Sequence, residues 1–104
     1  MRNYIYNGRL VFNLDENGDN HLSFHKAVEF LKSKENISIL KYYAGGWDVS
    51  YMNYKLERIE LELLFRDFGG TELSTDENLC LEDLQKVRQW AEEIYNAIHN
   101  GVKI

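Results

Sequence analysis

The chain has 104 residues, 44% of them hydrophobic, and a formal net charge of -5. This length and apolar content predict one α+β domain over residues 1–104. The acidic balance and the scattered cations argue against direct nucleic-acid binding, and no apolar run approaches the roughly 18 residues that cross a membrane. Cys80 is the only cysteine, which excludes an internal disulfide and favours a cytoplasmic location.

The first 14 residues predict a β-hairpin. Tyr4 and Tyr6 alternate with their neighbours, and Leu10 to Leu14 form the predicted return strand. Between them, Asn7-Gly8 is a dipeptide typical of a two-residue hairpin turn, because both residues tolerate a positive φ. We therefore expect two paired strands at the start of the chain.

A polar turn over residues 15–20 is predicted to lead into a first helix. Ser23 is a good N-cap, and apolar residues follow at helical spacing from Phe24 to Leu31. Branched and aromatic residues from Ile37 to Tyr43 then predict a strand. The segment Ala44-Gly45-Gly46 predicts the turn that follows it.

Two more strands are predicted in the middle of the chain. Trp47, Val49 and Tyr51 alternate with polar residues, which indicates a half-buried strand, and residues 52–55 predict another turn. Residues 57–66 form the clearest strand, because apolar residues alternate along its whole length. Its predicted inner face carries Ile59, Leu61, Leu63 and Phe65.

The last third of the chain predicts a short edge strand over Thr71–Ser74 and a long helix over about Leu81–Asn100. Carboxylates crowd the first turn of this helix and Gly101 follows it, which fits the helix dipole and C-cap preferences. Apolar residues recur along the helix with a spacing of three or four. This stripe consists of Cys80, Leu84, Val87, Ala91, Ile94 and Ile98.

These elements predict an α+β fold of the order β-β-α-β-β-β-α. Short connections between neighbouring strands favour an antiparallel sheet of four to six strands. Each helix has one apolar face, so both helices are expected to pack on the sheet. The helix that bears Val87 and Ile94 should contact the strand face that bears Leu61 and Leu63.

The segment after the first hairpin resembles the calcium loop of the EF-hand family. Asp15, Asn17 and Asp19 match loop positions one, three and five, and Leu22 matches the hydrophobic eighth position. The twelfth position holds Lys26 instead of a bidentate glutamate, which removes two oxygen ligands and adds repulsion. We therefore expect no metal site and no cofactor, with a degenerate ion-binding module as an alternative.

The sequence contains no recognisable catalytic arrangement. His21, His25 and His99 lack the spacing of a zinc motif. Cys80 belongs to the predicted core stripe, and on a continuous helix His99 would lie about 28 Å from it. We therefore expect a protein that is not an enzyme.

The segment from Asp67 to Asp83 contains six carboxylates and no lysine or arginine. Such a concentration of negative charge attracts cationic surfaces. Two tyrosines of the middle strands, Tyr42 and Tyr54, are predicted to face outward, where aromatic side chains anchor binding partners. The predicted partner-binding residues are Glu72, Asp76, Glu77, Glu82, Asp83, Asp48 and Tyr42.

In size, acidity and lack of catalytic motifs, the chain resembles small bacterial immunity proteins that neutralise toxin domains, many of them nucleases. This resemblance is one of type and implies an inhibitory interface that sets carboxylates against a basic cleft. The expected partner is a basic toxin or nuclease domain, with no direct contact to nucleic acid or membrane. A structural or oligomeric domain, such as a homodimer with a merely solubilising acidic face, is the alternative.

Overall fold

The computed structural model describes residues 1–17, 21–44 and 48–99. Within these ranges the elements follow the predicted order β-β-α-β-β-β-α. They form an antiparallel six-stranded sheet, in the strand order β1-β2-β6-β5-β4-β3, and two helices. Their bounds are β1 Arg2–Tyr6, β2 Arg9–Asp15, α1 His21–Lys32, β3 Ile37–Tyr43, β4 Val49–Leu56, β5 Ile59–Arg66, β6 Gly70–Asp76 and α2 Leu81–His99.

Two tight hairpins define the strand register. Asn7 and Gly8 have φ angles of 51° and 75°, as the predicted turn between β1 and β2 requires. Glu57 and Arg58 form the turn between β4 and β5, and Glu57 has a φ of 58°. The second turn has no glycine or asparagine, so it lacks the residue types by which such a turn is predicted.

Both helices cover the same face of the sheet. They run antiparallel, because Phe30 of α1 stacks on Trp90 of α2 at 5.6 Å while the Lys26 Nζ donates to the Ile98 carbonyl further along at 3.4 Å. Helix α1 contacts β5 and β6, and α2 contacts β2. The result is a two-layer α+β arrangement with its core between the helices and the sheet.

The predicted core faces are confirmed for β5 and for most of the α2 stripe. The four apolar residues of β5 named above are buried, as are Val87, Ala91, Ile94 and Ile98 of α2, and all belong to one cluster, against which Leu84 is only partly buried. Trp90 lies outside the predicted stripe but is also buried, and its Nε1 donates to the Tyr54 hydroxyl at 2.7 Å. Burial raises the pKa of Tyr54 well above its ordinary value.

Strand β4 is longer than predicted and faces the opposite way. The expected turn at residues 52–55 is wrong, since β4 continues to Leu56. Its buried side chains are Ser50, Met52, Tyr54 and Leu56, whereas Val49 is exposed. The prediction that Tyr54 faces outward is therefore wrong. Trp47 and the glycines of the predicted turn before β4 lie outside the described residues.

Strand β6 is a central strand, which corrects the predicted edge position of Thr71–Ser74. It pairs with β2 on one side and with β5 on the other. This arrangement buries Thr71, Leu73 and Thr75 under the helices. The pairing joins segments that lie about 60 residues apart in the sequence, so no local pattern indicates it.

The predicted start of α1 and the predicted burial of Cys80 are also wrong. Helix α1 begins at His21, and Ser23 is a buried residue of its first turn whose hydroxyl donates to the Asp15 carboxylate. Cys80 precedes α2 and is exposed, so it is not a core residue. In the described ranges, neither helix is long and apolar enough to span a membrane.

Candidate functional site

The face of the sheet that the helices leave uncovered, the open face, is rich in tyrosines and charged side chains. Alternation places one set of residues from each strand on this face, opposite the buried core set. The register confirms the set, since Tyr4 pairs with Val11, Val11 with Ser74, and Ser74 with Glu62. Further described members of this face include Tyr6, Arg9, Asp76, Glu60, Leu64, Arg66, Glu72, Tyr51, Asn53, Lys55, Lys41 and Tyr43.

A groove of about 500 Å³ crosses the open face from β1 to β5. Its apolar lining comes from Val11 and Leu64, and the side chains of Tyr4 and Tyr6 border it at the edge strand. Tyr6 is 64% exposed, so most of its ring is available for contact. The groove therefore combines an apolar surface with aromatic side chains, a composition that protein interfaces favour.

Hydrogen bonds and an ion pair hold the polar groups of the groove. The Tyr4 hydroxyl donates to Glu72 Oε2 at 3.1 Å, and Arg66 lies 3.9 Å from Glu72 Oε1. The Arg9 guanidinium donates to the Ser74 hydroxyl at 3.1 Å. Burial, followed by the negative charge of Glu72, raises the pKa of Tyr4, so this phenol stays protonated near neutral pH.

One end of the sheet concentrates carboxylates. Glu60 lies next to Asp76, one position beyond the Leu61–Thr75 pair. The Glu77 amide donates to the Gly8 carbonyl at 3.1 Å, which brings Glu77 to the first hairpin turn. We call this region the acidic lip and define it as Glu60, Glu62, Asp76, Glu77 and Glu82.

The carboxylates of the acidic lip are not neutralised by ion pairs. None of the five lies within 4.0 Å of a cationic nitrogen in the part of the chain that the structure describes. Arg9 and Lys55 stand opposite Asp76 and Glu60 across the strands, and Arg58 and Lys86 interact electrostatically with Glu82, so four cations border the five carboxylates. The end of the sheet therefore keeps an excess of negative charge.

Three of the seven predicted partner-binding residues, Asp76, Glu77 and Glu82, meet in the acidic lip. Glu72 lies in the groove but is already bound by Tyr4 and Arg66. The sequence did not single out Glu60 and Glu62, although both lie on the polar face of the clearest strand. Their alternation was a usable signal, but only the pairing of β5 with β6 places them beside Asp76.

Asp83 is committed to a structural ion pair. Its carboxylate accepts hydrogen bonds from Arg58 Nη2 at 3.0 Å and Arg58 Nε at 3.3 Å. This contact ties the first turn of α2 to the β4–β5 turn. Arg58, which lies outside the acidic segment, therefore offsets part of the segment's charge, whereas the neighbouring Lys86 pairs with Glu57 at 3.0 Å.

Asp48 and Tyr42 do not extend the acidic lip. The Asp48 carbonyl accepts from the Asp67 amide at 3.0 Å, which places Asp48 beside the far end of β5. Tyr42 lies on the edge strand β3, with its ring 5.2 Å from the Lys32 Nζ. Tyr42 is 41% exposed, as its predicted outward orientation requires.

Asp83→Asn is expected to remove a pH-dependent part of the stability. The Arg58 hydrogen bond holds the pKa of Asp83 below its ordinary value of 3.8. A lowered pKa in the folded state contributes stability above the unfolded-state pKa, and this contribution disappears as pH falls through the folded-state pKa. Urea unfolding should therefore separate wild type from Asp83→Asn at pH 6, and the gap should narrow below about pH 4.

The matched control for this pH series is Glu82→Gln, at the neighbouring exposed position. Glu82 has no ion pair among the described residues, so its amide variant should follow the wild-type profile. A gap between wild type and Asp83→Asn that stayed constant from pH 6 to pH 3 would contradict the assigned role of the ion pair.

The EF-hand-like segment is only partly described, because residues 18–20, including Asp19, lie outside the described ranges. The strand β2, not a helix, precedes it. Asp15 accepts hydrogen bonds from the Asn17 amide and from the Ser23 hydroxyl. No group of three potential metal ligands occurs among the residues that were described. The expectation that calcium does not bind stays a prediction.

The histidines make separate contacts in different parts of the fold. His21 stacks on Phe65 at 4.5 Å, and His25 meets the Phe24 ring at 5.9 Å. His99 contacts the Leu14 carbonyl through Nε2 at 2.5 Å. These contacts give each histidine a local packing role in the described structure.

No known protein family, curated protein or solved structure matches this chain. The groove and the acidic lip are therefore the basis on which a function is proposed.

Proposed function

We propose that this chain is a non-catalytic protein-binding domain that inhibits a basic protein partner in the manner of an immunity protein. The observation that carries the proposal is the position of the acidic lip beside a groove with exposed tyrosines. The lip would attract a cationic partner, and the groove would hold part of its surface. Glu60, Glu62, Asp76, Glu77 and Glu82 would supply the electrostatic attraction.

The acidic lip is electrostatically unfavourable in the unbound protein. Five carboxylates that lack ion pairs repel one another, and a solvated surface gains little from this arrangement. A partner rich in lysine or arginine would turn the repulsion into attraction and speed association. This effect weakens as salt screens the charges, with a Debye length of about 10 Å at 0.1 M.

Tyrosines beside the groove would contribute to the lifetime of the complex. Tyr6 is exposed at the edge strand, and Tyr4 is held in place by its hydrogen bond to Glu72. Rigid aromatic side chains bury a large area at a low entropic cost, which lowers the dissociation rate.

The proposed partner is a nucleic-acid-cleaving toxin or effector with a basic cleft. Such a cleft binds phosphates, and an array of carboxylates presents comparable negative charge to it. Occupation of the cleft would exclude the nucleic acid, so inhibition requires no chemistry from this chain. A cytoplasmic location fits this role and the single unpaired cysteine.

The test compares two variants that each lose four negative charges. The lip variant replaces Glu60, Glu62, Glu77 and Glu82 by Gln, and the control replaces Glu29, Glu35, Glu92 and Glu93 by Gln. The control residues are exposed and lie on the helices or in the loop after α1. The partner is captured with the wild-type chain, purified, and titrated with each variant by surface plasmon resonance.

We expect the lip variant to bind at least about tenfold more weakly, mainly through a lower association rate at low salt. The control variant should bind as the wild type does. The lip variant should also lose its ability to inhibit the partner's nuclease activity. Equal losses in the two variants would indicate a general charge effect and would refute the proposed site.

The alternative is a structural or oligomeric domain whose acidic face only solubilises it. That function predicts that neither variant changes any binding reaction and that the chain inhibits no partner. The same titration therefore distinguishes the two functions.

A further inference from the structure

Strand β3 is a long, uncovered edge of the sheet. In the described residues it pairs only with β4, so the backbone groups on its other side have no sheet partner. All of its residues except Ile37 are exposed. An edge of seven residues with free backbone groups is a template on which an extended segment can add a further strand.

Apolar side chains are exposed on both faces of this edge. Ile39 and Tyr42 lie on the helix side, where they are 46% and 41% exposed, because the helices cover the central strands instead. Tyr43 lies on the open face, and Leu40 lines a depression there with Asn53, Glu60 and Glu62. An added strand would therefore bury apolar surface on both of its faces.

The charge around β3 is positive, in contrast to the acidic lip. The Lys41 Nζ lies 5.6 Å from the Tyr51 ring centre, and the Lys32 Nζ lies 5.2 Å from that of Tyr42. Neither amine has an ion-pair partner among the described residues. Both ammonium groups therefore lie near the β3 edge without a carboxylate partner among the described residues.

This charge argues against a second copy of the chain as the occupant. Antiparallel pairing of β3 with its own copy would bring the two sets of lysines together across a two-fold axis. Lysines and β-bulges also protect edge strands from non-specific pairing. Strand β3 has both features, a lysine at position 41 and a bulge between Ile39 and Lys41. A strand with carboxylates would instead compensate the two amines.

We infer that β3 is a strand-addition site for an extended acidic segment of a partner protein. Main-chain hydrogen bonds would provide the pairing, and Ile39, Leu40, Tyr42 and Tyr43 would pack against apolar side chains of the segment. Carboxylates of the segment would reach Lys41 on the open face and Lys32 on the helix side. The pairing edge of β3 lies on the far side of β4 from β5, whose Glu60 and Glu62 border only the inner side of the depression at Leu40.

The probe is a capped peptide of eight residues, acetyl-Glu-Glu-Val-Thr-Val-Val-Glu-Glu-amide, titrated into the ¹⁵N-labelled chain. We expect saturable amide shifts confined to β3 and β4, with slower hydrogen exchange of β3 amides. A peptide with Lys in place of each Glu should show no saturable binding. N-methylation of the two central residues should abolish binding, because consecutive amides point to opposite strand edges.

Matched charge reversals complete the experiment. Lys41→Glu should weaken binding of the acidic peptide at least about tenfold, whereas Arg88→Glu, on the exposed side of α2, should leave it unchanged. The lip variant described above should bind the acidic peptide at least as tightly as the wild type, because it loses only carboxylates, so this proposal can fail or succeed apart from the proposed function. Circular dichroism and thermal unfolding verify that each variant is folded.

Three results would overturn the inference: no saturable binding of the acidic peptide, equal binding of the lysine peptide, or shifts that map outside β3 and β4. Light scattering of the chain alone supplies a further criterion. A dimer whose β3 amides are protected without peptide would show that a second copy occupies the edge, and would also refute the proposed partner.

Discussion

Replacing Gly70 by Ala is expected to destabilise the fold more than any other glycine substitution described here. Gly70 has a φ of 80°, and a Cβ at this position would lie 1.9 Å from the Asp15 carbonyl oxygen. The obstacle is backbone at the point where β2 pairs with β6, so no side-chain rotation relieves it. We expect a loss of at least about 3 kcal/mol, or roughly 12 °C in Tm.

Gly69→Ala is the matched control, because it adds the same methyl group one residue earlier. The nearest atom to its Cβ would be the Arg66 Cβ at 3.8 Å, an ordinary van der Waals distance. We expect this variant to stay within about 0.5 kcal/mol of the wild type. If thermal unfolding gave the two variants the same stability, the close approach of β6 to β2 would be wrong.

Leu61→Ala and Ile94→Ala are each expected to cost about 2–5 kcal/mol. Leu61 is 2% exposed on β5, and Ile94 is fully buried on α2. Each substitution removes apolar contacts and leaves a cavity that the well-packed surroundings can fill only in part. Urea unfolding should show lower midpoints with unchanged slopes, as expected for a stability change in a two-state fold.

Leu81→Ala provides the control for these core substitutions. Leu81 begins α2 and is 70% exposed, so the same kind of truncation should cost no more than about 0.5 kcal/mol. If Leu81→Ala lowered the stability as much as Leu61→Ala does, the assignment of Leu61 to the core and of Leu81 to the surface would be wrong.

The contrast between the two candidate surfaces gives the molecule a charge polarity. The acidic lip lies where β5 and β6 meet the start of α2, and the lysines of the β3 edge lie beyond β4. If both sites are occupied, the partner or partners must present basic and acidic surfaces to different parts of the sheet. The two sets of variants proposed above test these surfaces separately.

The candidate site was predictable from the sequence only in part. A run of carboxylates in one segment indicated negative charge, and Asp76, Glu77 and Glu82 do remain without ion pairs among the described residues. Sequence proximity failed for Asp83 and Glu72, because Arg58 approaches Asp83 from the β4–β5 turn and Arg66 approaches Glu72 from β5. Charge compensation depends on spatial neighbours, which a linear pattern does not contain.

The type and order of the helices and strands were predictable from local sequence patterns. Asn7-Gly8 selected a hairpin turn, the alternation of β5 gave the correct buried face, and the stripe of α2 gave the correct helix face. These features are local, since side-chain periodicity and turn conformation follow from the chemistry of a few neighbouring residues. They were sufficient to predict an antiparallel α+β fold.

The strand order and the orientation of β4, in contrast, depend on contacts between distant parts of the chain. Strand β6 became central through its pairing with β2, and β4 buried Ser50 and Tyr54 while Val49 remained exposed. Tyr54 can be buried because Trp90, 36 residues away, donates a hydrogen bond to its hydroxyl. The strand order and the burial of these polar side chains depend on long-range contacts, which compensate the cost of removing a hydroxyl group from water. A local sequence pattern does not contain such contacts and therefore did not predict them.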